Sequence, residues 1–123
     1  MEREIIKKLI KWKDSKNRKP LIIHGARQVG KTYIVKKFGK KYYDNLIYVN
    51  FETNKEICEQ IGESIDVEYI INKLELFYGE KIIPGKTLIF FDEIQANERA
   101  LTSLKYFCED APEYHVIAAG SLL

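Results

Sequence analysis

The first chemical signal lies in Gly25-Ala26-Arg27-Gln28-Val29-Gly30-Lys31-Thr32. Its two glycines let the backbone curl so that successive N–H groups point into one concavity. A helix is expected to open at Thr32, and its N-terminus adds free N–H groups and a partial positive charge. Lys31 brings a full charge for the β- and γ-phosphates of a nucleotide, and the Thr32 hydroxyl is a hard oxygen suited to Mg²⁺. Residues Gly25 through Thr32 together make a phosphate cradle.

A second signal follows about sixty residues later. In "LIFFDEIQ" the adjacent carboxylates Asp92 and Glu93 emerge at the tip of a hydrophobic run. Buried acids need a cation, a donor or water to satisfy them. Asp92 is placed to bind Mg²⁺ through its water shell, and Glu93 to orient and deprotonate a water attacking a γ-phosphate. Such a water-polarising pair argues against a small-molecule kinase. Ser121 is the third candidate: it follows Gly120 at the end of the last apolar run, within reach of the γ-phosphate or its attacking water if that strand lies beside the loop strand.

These groups need a scaffold that brings them to one edge. Ile5, Ile6, Leu9 and Ile10 recur at helical spacing near the N-terminus, with Trp12 nearby. "DSKNRKP" breaks that helix, and Pro20 forces an extended path into "LIIHG", expected as a short buried strand. Thr32 to Phe38 reads as a helix ending near Gly39. "NLIYVNF" is a second strand, and "ETNKEICEQIGES" is ambiguous, with room for one or two helical turns. Asp66 or Ser64 can cap a helix whose Val67, Ile70, Ile71, Leu74 and Phe77 share a face. "TLIFFDE" is a third strand, apolar enough for burial on both sides. Asn97 can cap a helix with Leu101, Leu104, Phe107 and Cys108 inward, and "HVIAAGSLL" is a fourth strand. Alternation of strands and helices predicts an α/β fold with a mostly parallel, three-layered sheet in the order 2-3-4-1, its strand C-termini along one edge.

One domain over 1–123 is expected, with a leader helix and linker in 1–19 and the nucleotide-binding core in 20–123. Hydrophobic residues make up 46% and charged residues 31% of the chain, the balance of a globular protein and not of a disordered one. No secretory signal and no apolar run of membrane-spanning length is visible, so a cytoplasmic location is expected. Cys58 and Cys108 follow no metal-ligand spacing and read as small apolar residues. His24 and His115 have no second ligand at metal spacing and read as structural. The tyrosines, Tyr42, Tyr43 and Tyr48 among them, are scattered and read as packing residues. Charge is lopsided: residues 1–41 carry net +11 and the remainder net −9, which fits solvated helix faces around a polyphosphate site or a nucleic-acid surface.

Taken together, "GARQVGKT", "FFDEIQ" and "VIAAGSLL" resemble the Walker A, Walker B and sensor-1 segments of AAA-type ATPases. The nearest likeness is to prokaryotic ATPases in which "GARQVGKT" and "DEIQ" recur. The resemblance implies ATP as ligand, Mg²⁺ on Thr32 and Asp92, Glu93 as catalytic base and Ser121 as sensor. Gln95 belongs to the shared "DEIQ" without an assigned mechanism. Such relatives continue with a fifth strand, an arginine finger, a helical lid and a further domain. The sequence is therefore expected to be the N-terminal part of an ATPase domain, hydrolysing ATP weakly or not at all. It is also expected to leave its first strand as a sheet edge open to self-association. The alternatives are a module that holds ATP or ADP without turnover, and a nucleic-acid-binding protein under nucleotide control through the basic N-terminal region.

Overall fold

The computed structural model of the chain describes residues 2–24, 29–61 and 64–121. Ten elements follow in order: α1 (Glu2–Lys13), β1 (Leu21–His24), α2 (Val29–Tyr42), β2 (Asn45–Asn50), α3 (Lys55–Ile61), α4 (Val67–Tyr78), β3 (Thr87–Asp92), a short 3-10 turn (Ile94–Ala96), α5 (Glu98–Asp110) and β4 (His115–Gly120). The four strands form one wholly parallel sheet in the order β1-β4-β3-β2. That is the expected α/β order.

Period-two alternation along the strands divides the core in two. Ile47 and Val49 of β2, Ile89 and Phe91 of β3, and Val116 and Ala118 of β4 face α3, α4 and α5. Leu88, Phe90 and Ile117 face the other way, onto Leu9 of α1 and Ile34, Val35 and Phe38 of α2. Strand β3 is buried at every position because it is covered on both faces and flanked on both sides.

Local chemistry sets the helix ends. Asp66 caps α4 by accepting from Tyr69 N at 3.3 Å, and Ser64 Oγ accepts from Asp66 N at 3.1 Å. Gly79 ends that helix in the left-handed region, at φ 66°, where a glycine bears no Cβ penalty. Asn97 caps α5, and Asn54 Oδ1 accepts from Ile57 N in the first turn of α3. The ambiguous segment after β2 is thus a helix of two turns.

Three expectations are corrected. Helix α2 does not stop near Gly39 but runs from Val29 to Tyr42. Gly39 lies inside it, buried, where an added Cβ would come within 3.0 Å of both Leu46 Cδ1 and Leu88 Cδ2; the glycine is there for close approach to the sheet, not to end the helix. Strand β1 is not buried: it alternates between half-buried and exposed residues, with Ile22 38% exposed. Among the described residues it has β4 as its one neighbour, and only its α1/α2 face is covered. Strand β3 ends at Asp92, and Glu93 already belongs to the following turn.

The leader is fastened to the core by polar as well as apolar contacts. Trp12 Nε1 donates to Lys19 O at 2.7 Å, and Arg18 Nη2 donates to Pro112 O at 3.2 Å. His115 lies under Trp12, edge to face, and its Nδ1 is 2.6 Å from Tyr43 Oη. Burial, with Arg18 and Lys13 adding positive charge nearby, pushes the His115 imidazole down to about 4.

Two predictions come from this core. Unfolded His115 takes up a proton near its ordinary pKa while folded His115 stays neutral to about pH 4, so stability is full above about pH 6.5 and declines as pH falls toward 4. The urea midpoint should follow that decline, and His115→Gln should flatten it. Phe107 is fully buried against Phe91 and Tyr114; Phe107→Ala should cost about 3–5 kcal/mol in the same measurement.

Candidate functional site

The parallel sheet places the C-terminal ends of β1, β2, β3 and β4 along one edge, and of the sequence candidates Lys31, Thr32, Asp92, Glu93 and Ser121 lie there. Gly25, Ala26, Arg27 and Gln28 lie outside the described residues. Helix α2 opens directly after them, with Val29, Gly30, Lys31 and Thr32 in its first turn. That turn holds no acid, whereas the first turns of α1, α3, α4 and α5 all carry glutamate. The amide groups and partial positive charge at the start of α2 are therefore not offset by a carboxylate of its own first turn, which is the condition an anion needs. Gly30 is exposed, and among the described residues an added Cβ there would meet no atom within 4 Å.

Lys31 rests its ammonium on the backbone of β1, donating from Nζ to His24 O at 3.1 Å. The contact is to a neutral carbonyl and not to a carboxylate, so the charge remains available to an anion. His24 contributes that carbonyl, while its side chain is exposed.

Asp92 is the meeting point of three elements. Its Oδ2 accepts from Thr32 Oγ1 at 3.1 Å and from Tyr48 Oη at 2.7 Å, and its Oδ1 accepts from Glu93 N at 3.0 Å. The carboxylate is 6% exposed, and each charge-assisted bond of this kind contributes roughly 1.5–3 kcal/mol. Strand register makes the arrangement possible: Asn50 pairs with Asp92 and Tyr48 with Phe90, so Tyr48 points to the α2 face two residues short of the strand end. A hydroxyl and a carboxylate oxygen 3.1 Å apart are the hard donors that Mg²⁺ takes, so the residues present fit that ion.

Tyr48 is the residue that sequence reasoning missed, having read it as packing. Its ring does pack, 5.2 Å from Phe90, with the Lys36 ammonium 3.9 Å over its face. Its hydroxyl nonetheless belongs to the Asp92 network. Burial, with the Asp92 carboxylate beside it, pushes the phenol well above its usual range. Tyr48 therefore stays a proton donor to Asp92. No sequence pattern announced this, because the contact spans 44 residues and depends on register.

Glu93 lies beside Asp92, 7% exposed, and its Oε2 accepts from Gln95 Nε2 at 3.2 Å. Ser121 is half-buried, directly after β4. The residue before it, Gly120, is the register partner of His24 in the neighbouring strand, so Ser121 leaves the sheet beside the end of β1. Among the described residues the site is thus a helix start, a basic group, a Thr–Asp–Tyr cluster, a second acid and a hydroxyl on one sheet edge.

His115 has no place in it, being held by Tyr43 and Trp12 as a structural residue. Among the described residues no cluster of His, Cys, Asp and Glu offers a metal cage, and no helix is long and apolar enough to cross a membrane.

Among curated proteins none matches the chain. A family model described as AAA domain matches residues 17–123, a span that takes in all four strands and every group at the sheet edge. With its parallel β1-β4-β3-β2 sheet, the chain belongs to the AAA domain family and is an ATP-binding, ATPase-type module.

Proposed function

We propose that the chain binds ATP together with Mg²⁺ and hydrolyses the bond to the γ-phosphate at this sheet edge. The observation that carries the reading is the 3.1 Å contact of Thr32 Oγ1 with Asp92 Oδ2, which joins the start of α2 to the tip of β3. Gly25 to Thr32, of which Val29 to Thr32 open α2, are the phosphate-binding residues. Lys31 moves from the His24 carbonyl to the β- and γ-phosphate oxygens. Thr32 and Asp92 hold the Mg²⁺, which when bound neutralises charge on those oxygens. Tyr48 keeps Asp92 turned toward it.

Glu93 takes a proton from the attacking water as its oxygen bonds to the γ-phosphorus. The bond from that phosphorus to the bridging oxygen breaks, and its electron pair leaves on ADP. Ser121 directs its hydroxyl to the γ-phosphate. The choice of adenine rests on family membership and not on a residue that reads the base.

Glu93→Gln should lower phosphate release by about 10²–10⁴-fold while ATP still binds. Equal rates in the native chain and the variant would remove Glu93 as the base, and absent turnover with retained binding would leave a nucleotide-binding module. Calorimetry on Lys31→Ala should give at least a ~10-fold loss of ATP affinity, as a charge-assisted contact to the phosphates is lost; unchanged affinity ends the phosphate-site reading. Tyr48→Phe should raise the Mg²⁺ concentration needed for nucleotide binding by about 10-fold or more.

A second reading is favoured by one surface. A groove of about 550 Å³ between α1 and α2 is lined by Arg3, Lys7, Lys37 and Lys41, with Ile6 and Tyr42 among its walls. Lys37 is paired with Glu2 at 2.9 Å, which leaves Arg3, Lys7 and Lys41 facing solvent. The apolar side of α1 is already spent on the core through Ile5, Ile6, Leu9 and Ile10, so this helix has no free face for a bilayer. A nucleic-acid backbone fits such cations. Arg3→Glu with Lys7→Glu should weaken retention of single-stranded DNA at low salt, and unchanged retention dismisses the groove.

A further inference from the structure

Gln95 has no part in the chemistry just described, yet its amide is tied to it. After β3 the chain turns sharply: Glu93 sits at φ 51°, ψ 45°. Among the described residues it is the one non-glycine residue with positive φ, a conformation that side-chain-bearing residues keep only when their surroundings hold them. The surroundings do hold it. Ala96 N donates to Glu93 O at 3.1 Å and Asn97 N to Ile94 O at 3.0 Å, closing the 3-10 turn. Ile94 is fully buried. Asn97 is anchored twice more, its Oδ1 accepting from Ala100 N and its Nδ2 donating to Cys58 O, both at 3.0 Å.

A turn fixed in this way brings Gln95 Nε2 within 3.2 Å of Glu93 Oε2. The other end of the amide, Gln95 Oε1, is buried and meets no donor among the described residues. Reversing the amide would set Oε1 against the carboxylate oxygen, acceptor to acceptor. The carboxylate therefore dictates the orientation, and the orphaned acceptor is its consequence. A glutamine placed only to fill space has no reason to bury an unmet acceptor, since buried polar groups are normally satisfied.

The geometry points to Gln95 as a positioning residue that holds the Glu93 carboxylate, through Nε2 and Oε2, in the orientation from which it takes the proton of the attacking water. This rests on the reading of Glu93 as the base. Gln95 makes no hydrogen bond to Thr32, Lys31 or Asp92, so it acts on the chemical step and not on nucleotide binding.

Gln95→Glu keeps the shape and replaces the donor by a second carboxylate. The new side chain sets an acceptor against Glu93 Oε2 where Nε2 was a donor, so the base is no longer held in its orientation. For that variant, kcat at pH 7 should fall by about 10-fold, with the KM for ATP and the calorimetric ATP affinity changed by less than about twofold. In a Glu93→Gln background the same substitution should change nothing further. Unchanged kcat in a chain that hydrolyses ATP would overturn the role of Gln95 and leave the ATPase reading standing.

A native chain with no turnover overturns the ATPase reading and the positioning role together, and urea unfolding then tells what the contact is. In that case a double-mutant cycle of Gln95→Leu and Glu93→Leu separates a purely structural pair, which shows coupling, from no interaction at all.

Discussion

Everything at the sheet edge depends on the Asp92 carboxylate being satisfied from three directions. A buried acid at the end of a fully covered strand is costly, and the chain meets that cost with Thr32, Tyr48 and the Glu93 amide. Each donor arrives on a different element. Thr32 comes with the first turn of α2, Tyr48 with β2, and Glu93 N with the turn after β3. Displacing any of these elements would leave a charge in a dry place, so the carboxylate acts as a fixed point for the site as well as a candidate ligand.

That fixed point explains features that look unrelated along the chain. Helix α2 must lie close to the sheet to bring Thr32 to Asp92, and buried Gly39 permits the close approach ten residues from its start at Val29. The β2–β3 register must set Asn50 beside Asp92, because a shift by one residue would turn Tyr48 to the opposite face. The left-handed backbone at Glu93 stops β3 at the carboxylate and turns the next acid back over the edge. The strained residue and the turn that holds it lie where the chemistry is proposed, the usual place for such strain.

Much of this was legible in the residues. The alternation of apolar strands with amphipathic helices gave the α/β class and the parallel sheet, and the expected strand order agrees with the one observed. Asp66 and Asn97 announced their caps because capping is a local matter of one side chain and an amide three residues on. The failures were of one kind. Gly39 read as a helix end because glycine usually ends helices, and only the nearby Leu46 and Leu88 side chains show why it stands within one. "LIIHG" read as buried because it is aliphatic, yet an edge strand with one covered face cannot bury alternate residues. Tyr48 read as packing because a tyrosine among aliphatic residues usually is.

By itself, then, the sequence determined which groups are present and where local periodicity puts them. It supplied a glycine-rich turn before a helix, a basic and a hydroxyl residue at that helix start, two acids after an apolar strand and a hydroxyl after the last one. These are properties of neighbouring residues, and short-range geometry carries them. The tertiary structure alone decided which of those groups touch. Thr32 meets Asp92 across 60 residues and Tyr48 meets it across 44, distances along the chain over which only strand register and helix-on-sheet packing fix position. It also decided that the Gln95 amide faces Glu93, since that depends on a backbone conformation no residue type on its own requires.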